Sequence, residues 1–390
     1  MEKQKNIDYI LTHLGEEREN YFSAISPPII QSSNFQFHDV NQFREYIVNE
    51  ETRHVYTRGN NPTVSILCKK LAALERTERA LVTSSGAAAI SCAVVAQVKA
   101  GDHVICVQKP YSWTYRLLVD LLAKFNVSVD FVDGRNILEI EAAVKSNTTL
   151  LYLESPNSMT FEIQDLEACA QLAQKHDLVT IIDNSYSSPL YQNPADYGID
   201  IVVHSGTKYI NGHSDVVVGV ICGSEDHISK IFHGPYMTFG VNISPNDAWL
   251  VIRGLRTLPL RMQRCTDSAL EIMSFLRKQQ QVKAIIHPHA DDFPQVKLAK
   301  KQMKACGGLF TMILNADSKE SVLKFVHGLK RFLLAVSWGG HESLIMPSIV
   351  FHDIPGKEDS IVPWTYVRFY IGLESPEYLI DDLKQALSLM

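Results

Sequence analysis

The sequence predicts an α/β fold: a mostly parallel central sheet covered by helices on both faces, followed by a smaller C-terminal α/β domain. Three observations predict it. Between residues 79 and 184, apolar runs (ALVTS, HVICVQ, VSVDFVD, TLLYLESP, LVTIIDN) alternate with helix-period stretches such as NILEIEAAVKSN and IQDLEACAQLAQKHD, the pattern of successive βαβ units. Two more apolar runs, Ile201 to His204 and Val216 to Cys222, are joined by a hydroxyl- and glycine-rich connection that contains Lys208. Beyond residue 281 the strands, GGLFTMIL and VRFYIG among them, are shorter and mixed with helical pieces.

With 390 residues and 46% apolar composition, the chain is long enough for more than one domain. The expected division is an N-terminal arm at 1–51, a large domain at 52–245, and a long helix with the smaller domain at 246–390. A formal charge of -6 gives no electrostatic reason to expect a nucleic-acid partner. No apolar run reaches the roughly 20 residues that span a bilayer, and the start, MEKQKNIDYILTHLGEER, lacks the apolar core of a signal peptide. No membrane partner is expected, and the expected location is the cytoplasm. Seven cysteines are scattered without a CxxC pair, which fits buried reduced thiols. The spacings of His204, His213 and His233, and of His287 and His289, match no compact ligand motif, so no metal site is expected.

The elements follow in order. Adjacent prolines in SPPIIQSSNFQF forbid a helix and favour an extended arm. In HVYTRGNNPTV, Gly59 to Pro62 mark a turn. Tyr56 and Arg58, two residues apart, would share a face if extended, either as a phosphate clamp or as an incidental exposed pair. After the helical VSILCKKLAALERT, the stretch ALVTSSGAAAISC reads strand, tight turn, helix. Free N–H groups at that helix start make Ser85, Gly86 and Ala87 a phosphate cradle. Tyr111 lies just past the strand HVICVQ, where its ring would stack on a ligand or pack at the strand end. Glu154 to Asn157 and Asp183 each sit at the carboxyl end of a strand, where open α/β sheets keep their ligands. Lys208, carried into the interior between two strands, has the setting that lowers an ammonium's pKa and prepares an amine to attack an aldehyde; an exposed loop lysine is the ordinary alternative. From Ser244 to about Gln281 the pattern is helical, with Pro259 expected to break or kink it, and Arg253 and Arg256 are read as structural. Arg368, inside the alternating strand VRFYIG, needs an anionic partner, either a substrate carboxylate or an internal acid.

SGAAAI (85–90), LESPNSMTFEIQDL (153–166), TKYINGHSD (207–215) and SWGGHESLI (337–345) together resemble the pyridoxal-phosphate enzymes of cysteine and methionine metabolism, the transsulfuration group. Within the group they are most similar to bacterial cystathionine β-lyases. The resemblance runs from Pro28 to Leu383 and implies fold type I. It further implies that Lys208 holds pyridoxal 5'-phosphate, that Asp183 faces the pyridine nitrogen, and that Tyr111 stacks on the ring and takes part in proton transfer. Ser85, Gly86, Ala87, Ser205 and Thr207 would complete the cofactor site, with Tyr56 and Arg58 reaching the phosphate of a neighbouring subunit. Ser337, Trp338 and Arg368 would bind the substrate, with Arg368 on its α-carboxylate. The implied partners are a small sulfur-containing amino acid and further copies of the chain, in a homotetramer built from dimers with shared active sites.

The implied activity is a carbon–sulfur lyase that eliminates a thiol from Cβ of cystathionine or a related cysteine S-conjugate, leaving pyruvate and ammonia. Val336, where γ-synthases and γ-lyases of the group generally carry Glu, favours this together with Trp338. A γ-class reaction, including methionine γ-lyase chemistry, is the alternative. Departures from the group's commoner patterns are Trp113, bulkier than usual, and Asn157 in ESPN.

Overall fold

A computed structural model describes residues 6–356 and 360–390; the first five residues of the predicted arm, and 357–359 of the predicted smaller domain, lie outside the described residues. The central sheet has seven strands: β1 (Arg79–Thr83), β2 (His103–Val107), β3 (Ser128–Val132), β4 (Thr148–Glu154), β5 (Val179–Asp183), β6 (Ile201–Ser205) and β7 (Gly219–Gly223), in the spatial order β1-β7-β6-β5-β4-β2-β3. Six run in the same direction, and β7 alone is reversed, antiparallel to both of its neighbours, β6 and β1. The run read as 216–222 therefore begins its strand three residues later, at Gly219. Strands β2 and β7 are buried along their whole length, as a parallel sheet covered on both faces requires. Each fully buried Val, Leu or Ile contributes about 1.5–3 kcal/mol by leaving water.

A second sheet of five strands, β8 (Val282–Ile286), β9 (Leu309–Leu314), β10 (Leu333–Leu334), β11 (Leu344–Pro347) and β12 (Tyr366–Tyr370), has the order β10-β11-β12-β9-β8. The helical region before it is two helices, Pro245–Leu255 and Leu258–Leu276. The break falls ahead of Pro259, which sits in the first turn of the second helix, where its missing N–H costs nothing. Arg256 reaches Glu16 at 3.5 Å, a structural contact as read from sequence, and Arg253 is exposed.

The N-terminal segment differs from a simple extended arm. Ile7–Thr12 is helical and buries Ile10 and Leu11. Fully buried Lys70 donates to the carbonyls of both residues, at 2.8 and 3.1 Å, and pairs with Glu16 at 3.1 Å. A second helix, Val40–Val48, leaves Val40, Ile47 and Val48 exposed. Among the described residues, no helix is long and apolar enough to cross a membrane.

Candidate active site

Ser85, Tyr111, Glu154, Asp183 and Ser205 all stand at or just beyond the carboxyl ends of central strands, and with Lys208 they line one cavity of about 600 Å³. Ser337, Trp338 and Arg368, from the β10–β11 connection and β12, close its other side. Residues more than 280 positions apart thus meet at the end of a sheet that positions them.

Lys208 is carried between β6 and β7. Its ammonium donates to Ser337 Oγ and lies 5.7 Å from the Trp338 ring centroid. Burial, with the Arg368 charge adding to it, lowers its pKa to about 8. The amine is therefore far easier to deprotonate near neutral pH than that of an ordinary lysine. The glycine pair after Trp338 explains how the loop comes so close: a Cβ on Gly339, whose φ is +92°, would stand 2.8 Å from the Lys208 main chain. Ser337 is also left-handed, at φ 77°, a conformation that needs support from its surroundings in a residue with a side chain.

Ser85 caps the helix Gly86–Val95 by accepting the Ala88 N–H at 3.0 Å. The amides of Gly86 and Ala87 lie at the helix start, before any intrahelical acceptor is available, and open on the cavity. Such a start favours an anion. Gly86 is required by space rather than dihedral, since a Cβ there would meet Ser205 at 2.8 Å. The Thr207 hydroxyl is already engaged with the main chain of Val218, donating at 3.2 Å and accepting at 2.9 Å. Thr207 lines the cavity while its hydroxyl also holds the turn.

Asp183 is buried, and its Oδ1 accepts the Ser185 N–H at 2.9 Å. Directly across the ladder from it is Glu154. Burial raises the pKa of both carboxyls, and Asp183 raises that of Glu154 further. Tyr111 is 43% exposed, and burial followed by the Asp183 and Glu154 charges raises its phenol, which therefore stays protonated.

Arg368 is 6% exposed. Its guanidinium donates to the carbonyls of Ser158 and Ser337, at 3.1 and 3.2 Å. Burial lowers its pKa to about 10, and no ion pair shown among the described residues neutralises it. A third contact goes to Met346 Sδ at 3.4 Å, and a buried guanidinium held by such uncharged acceptors is a site for an anion from outside the chain. Trp338 is buried against Tyr209 and Tyr186, with centroids 5.3 and 6.5 Å away, so it backs the pocket as a wall. The outer rim is apolar, formed by Trp113, Val217, Val336, Phe351 and Val362, and Trp113 is 63% exposed there.

Tyr56 and Arg58 do not reach this cavity in their own chain. Their backbone is a bridge and a turn rather than an extended strand, yet the Arg58 guanidinium still stacks 5.6 Å from the Tyr56 ring. Both are exposed. Tyr236 is a core residue, 2% exposed and donating to the Val82 carbonyl. Asn157 folds its own loop: its Oδ1 accepts the N–H groups of Met159, Thr160 and Phe161, while its amide donates to Glu162. Glu154 was placed at a strand end by sequence but given no role. Its signal, a carboxylate one strand from Asp183, needed the strand order to be seen.

These residues fit pyridoxal phosphate: orphan amides for a phosphate, a buried carboxyl for a pyridinium, and a free amine for an aldehyde. The comparisons agree. A family model described as Cys/Met metabolism PLP-dependent enzyme matches residues 8–388. An L-methionine gamma-lyase of Porphyromonas gingivalis is 39% identical over 379 residues, 96% of this chain and 95% of that protein. A cystathionine beta-lyase of Lactococcus lactis subsp. cremoris is 35% identical over 379 residues, 96% of this chain and 97% of that one. The crystal structure of metB from Corynebacterium glutamicum superposes with a TM-score of 0.91 at 34% identity, covering 98% of both chains.

Proposed function

The chain belongs to the PLP-dependent enzymes of cysteine and methionine metabolism, with the type I fold, and from that premise we propose that it is a carbon–sulfur lyase acting on an L-amino acid with a thioether side chain. The observation that carries this reading is the pairing of buried, acid-free Arg368 with Lys208 through the two faces of Ser337, whose carbonyl accepts from one and whose hydroxyl accepts from the other. An α-carboxylate on Arg368 brings Cα toward the Lys208 amine and leaves the side chain to the apolar rim.

Lys208, Asp183, Tyr111, Ser85, Gly86, Ala87 and Ser205 would hold the cofactor, with Thr207 on the rim and with Tyr56 and Arg58 supplied by a second copy. Bound pyridoxal phosphate supplies the sink for the electron pair left when the Cα–H bond breaks. Lys208, freed by the substrate amine, takes that proton as general base. The Cβ–S bond breaks as the Cα–Cβ double bond forms, and the Tyr111 phenol would protonate the departing sulfur. Addition of water then gives pyruvate and ammonia. Asp183 would hold charge at the ring nitrogen, and Ser337 and Trp338 would keep the amine in place. This β-elimination needs one base, which Lys208 supplies. The reading includes a cytoplasmic homotetramer of dimers.

A second reading, γ-elimination of methionine, is favoured by the P. gingivalis methionine gamma-lyase at 39% identity and by the apolar residues of the rim, which suit an uncharged thioether. The keto acid from L-cystathionine, S-ethyl-L-cysteine and L-methionine separates them. Pyruvate from either of the first two supports β-elimination. 2-Oxobutyrate from methionine, without pyruvate from the others, replaces it with the γ reading.

A further inference from the structure

We propose that Glu154 is a positioning residue that sets the pose of Tyr111, acting through the main chain. The Tyr111 ring is anchored by nothing of its own: its hydroxyl has no hydrogen bond shown among the described residues, and nearly half of the residue is exposed. Its place must come from the backbone. The stretch from Lys109 to Tyr111 joins the end of β2 to the short helix Ser112–Arg116, turning through Lys109 at φ 56°. Pro110 has no N–H to tie it down. Two tethers fasten this stretch to β4 and the loop beyond it. Tyr111 donates its N–H to Glu154 Oε2 at 2.6 Å, and Lys109 donates to Glu162 Oε1 at 2.6 Å.

Placing a carboxyl here is costly unless it does something. Glu154 is 6% exposed, stands across the ladder from a second carboxyl, and joins no ion pair shown among the described residues. A buried acid in that position is retained at a price in desolvation and repulsion. Its bonds go to main-chain N–H groups, that of Tyr111, whose ring covers the cavity, and that of Ser158. Ionised or protonated, the carboxyl keeps an oxygen able to accept the Tyr111 N–H, so the tether survives either state of the pair. The inference rests on Tyr111 facing the cofactor, whereas the tether itself does not depend on the lyase reaction.

The test is amide hydrogen exchange by mass spectrometry on peptides covering 109–113 in the full chain, with and without pyridoxal phosphate, beside kcat and KM with S-ethyl-L-cysteine. Glu154→Gln keeps an acceptor oxygen, and the segment should exchange as in the wild type with kcat retained. Glu154→Ala removes the acceptor, and exchange should accelerate at least roughly tenfold, the loss of about one hydrogen bond, with kcat falling more than KM rises. If Glu154→Ala does not fold, Glu154→Asp, one methylene short of the amide, should show the same acceleration. Wild-type exchange in a folded Ala or Asp variant would overturn the proposal, as would equal acceleration in Gln and Ala. Should exchange respond as expected while no substrate turns over, the tether would stand and the lyase reading would fail.

Discussion

At the scale of single residues, the site depends on groups held away from their ordinary ionisation. Lys208 has Arg368 as a neighbouring charge and little water around it, and its pKa falls to about 8. The free amine is the nucleophile, so lowering the pKa moves its activation into a milder pH range. Capture of pyridoxal phosphate by the cofactor-free chain should speed up as pH rises and level off, with its midpoint near 8. Stopped-flow absorbance across pH 6 to about 10, inside the span set by ordinary His and Lys values, would show it. A midpoint in the usual lysine range would mean that the amine is solvated and that the cavity does not prepare it. Asp183 and Lys208 were legible in the sequence because one ends an apolar run and the other lies between two, each a group too costly to bury idly. Glu154 was not, because its partner is an amide 43 positions away.

At the scale of elements, the helix Gly86–Val95 must approach β6 closely for its first amides to face the cavity. The contact leaves no room for a methyl group at Gly86, where Cβ would lie 2.8 Å from Ser205. Gly86→Ala should therefore push the helix start away, weakening cofactor affinity by roughly tenfold or more, as expected for loss of one or two charge-assisted N–H contacts. Titration of the cofactor-free variant with pyridoxal phosphate measures it, and unchanged affinity would contradict the close approach. This strand–turn–helix unit was readable because its period changes at a glycine. The helix Ile7–Thr12 was not, since its lead looks polar and its burial depends on Lys70, some 60 residues on. Pro259 marked a break correctly, although the break fell two residues earlier than a proline inside the helix would place it.

At the scale of the molecule, Tyr56 and Arg58 stand clear of their own cavity while pairing with each other, which suits a role in the cavity of a second copy. Mixing inactive Lys208→Ala with inactive Arg58→Ala under subunit exchange should restore activity, because a mixed dimer holds one site with both residues intact. Failure to regain activity, with exchange verified by mass spectrometry, would confine the site to one chain and leave Arg58 structural. The central claim is that this site breaks a carbon–sulfur bond. The most direct measurement is the ratio of free thiol to α-keto acid released from S-ethyl-L-cysteine by the PLP-loaded protein. The account predicts ethanethiol and pyruvate in equal amounts. Keto acid without thiol, or no keto acid from a protein that binds both cofactor and substrate, would contradict it.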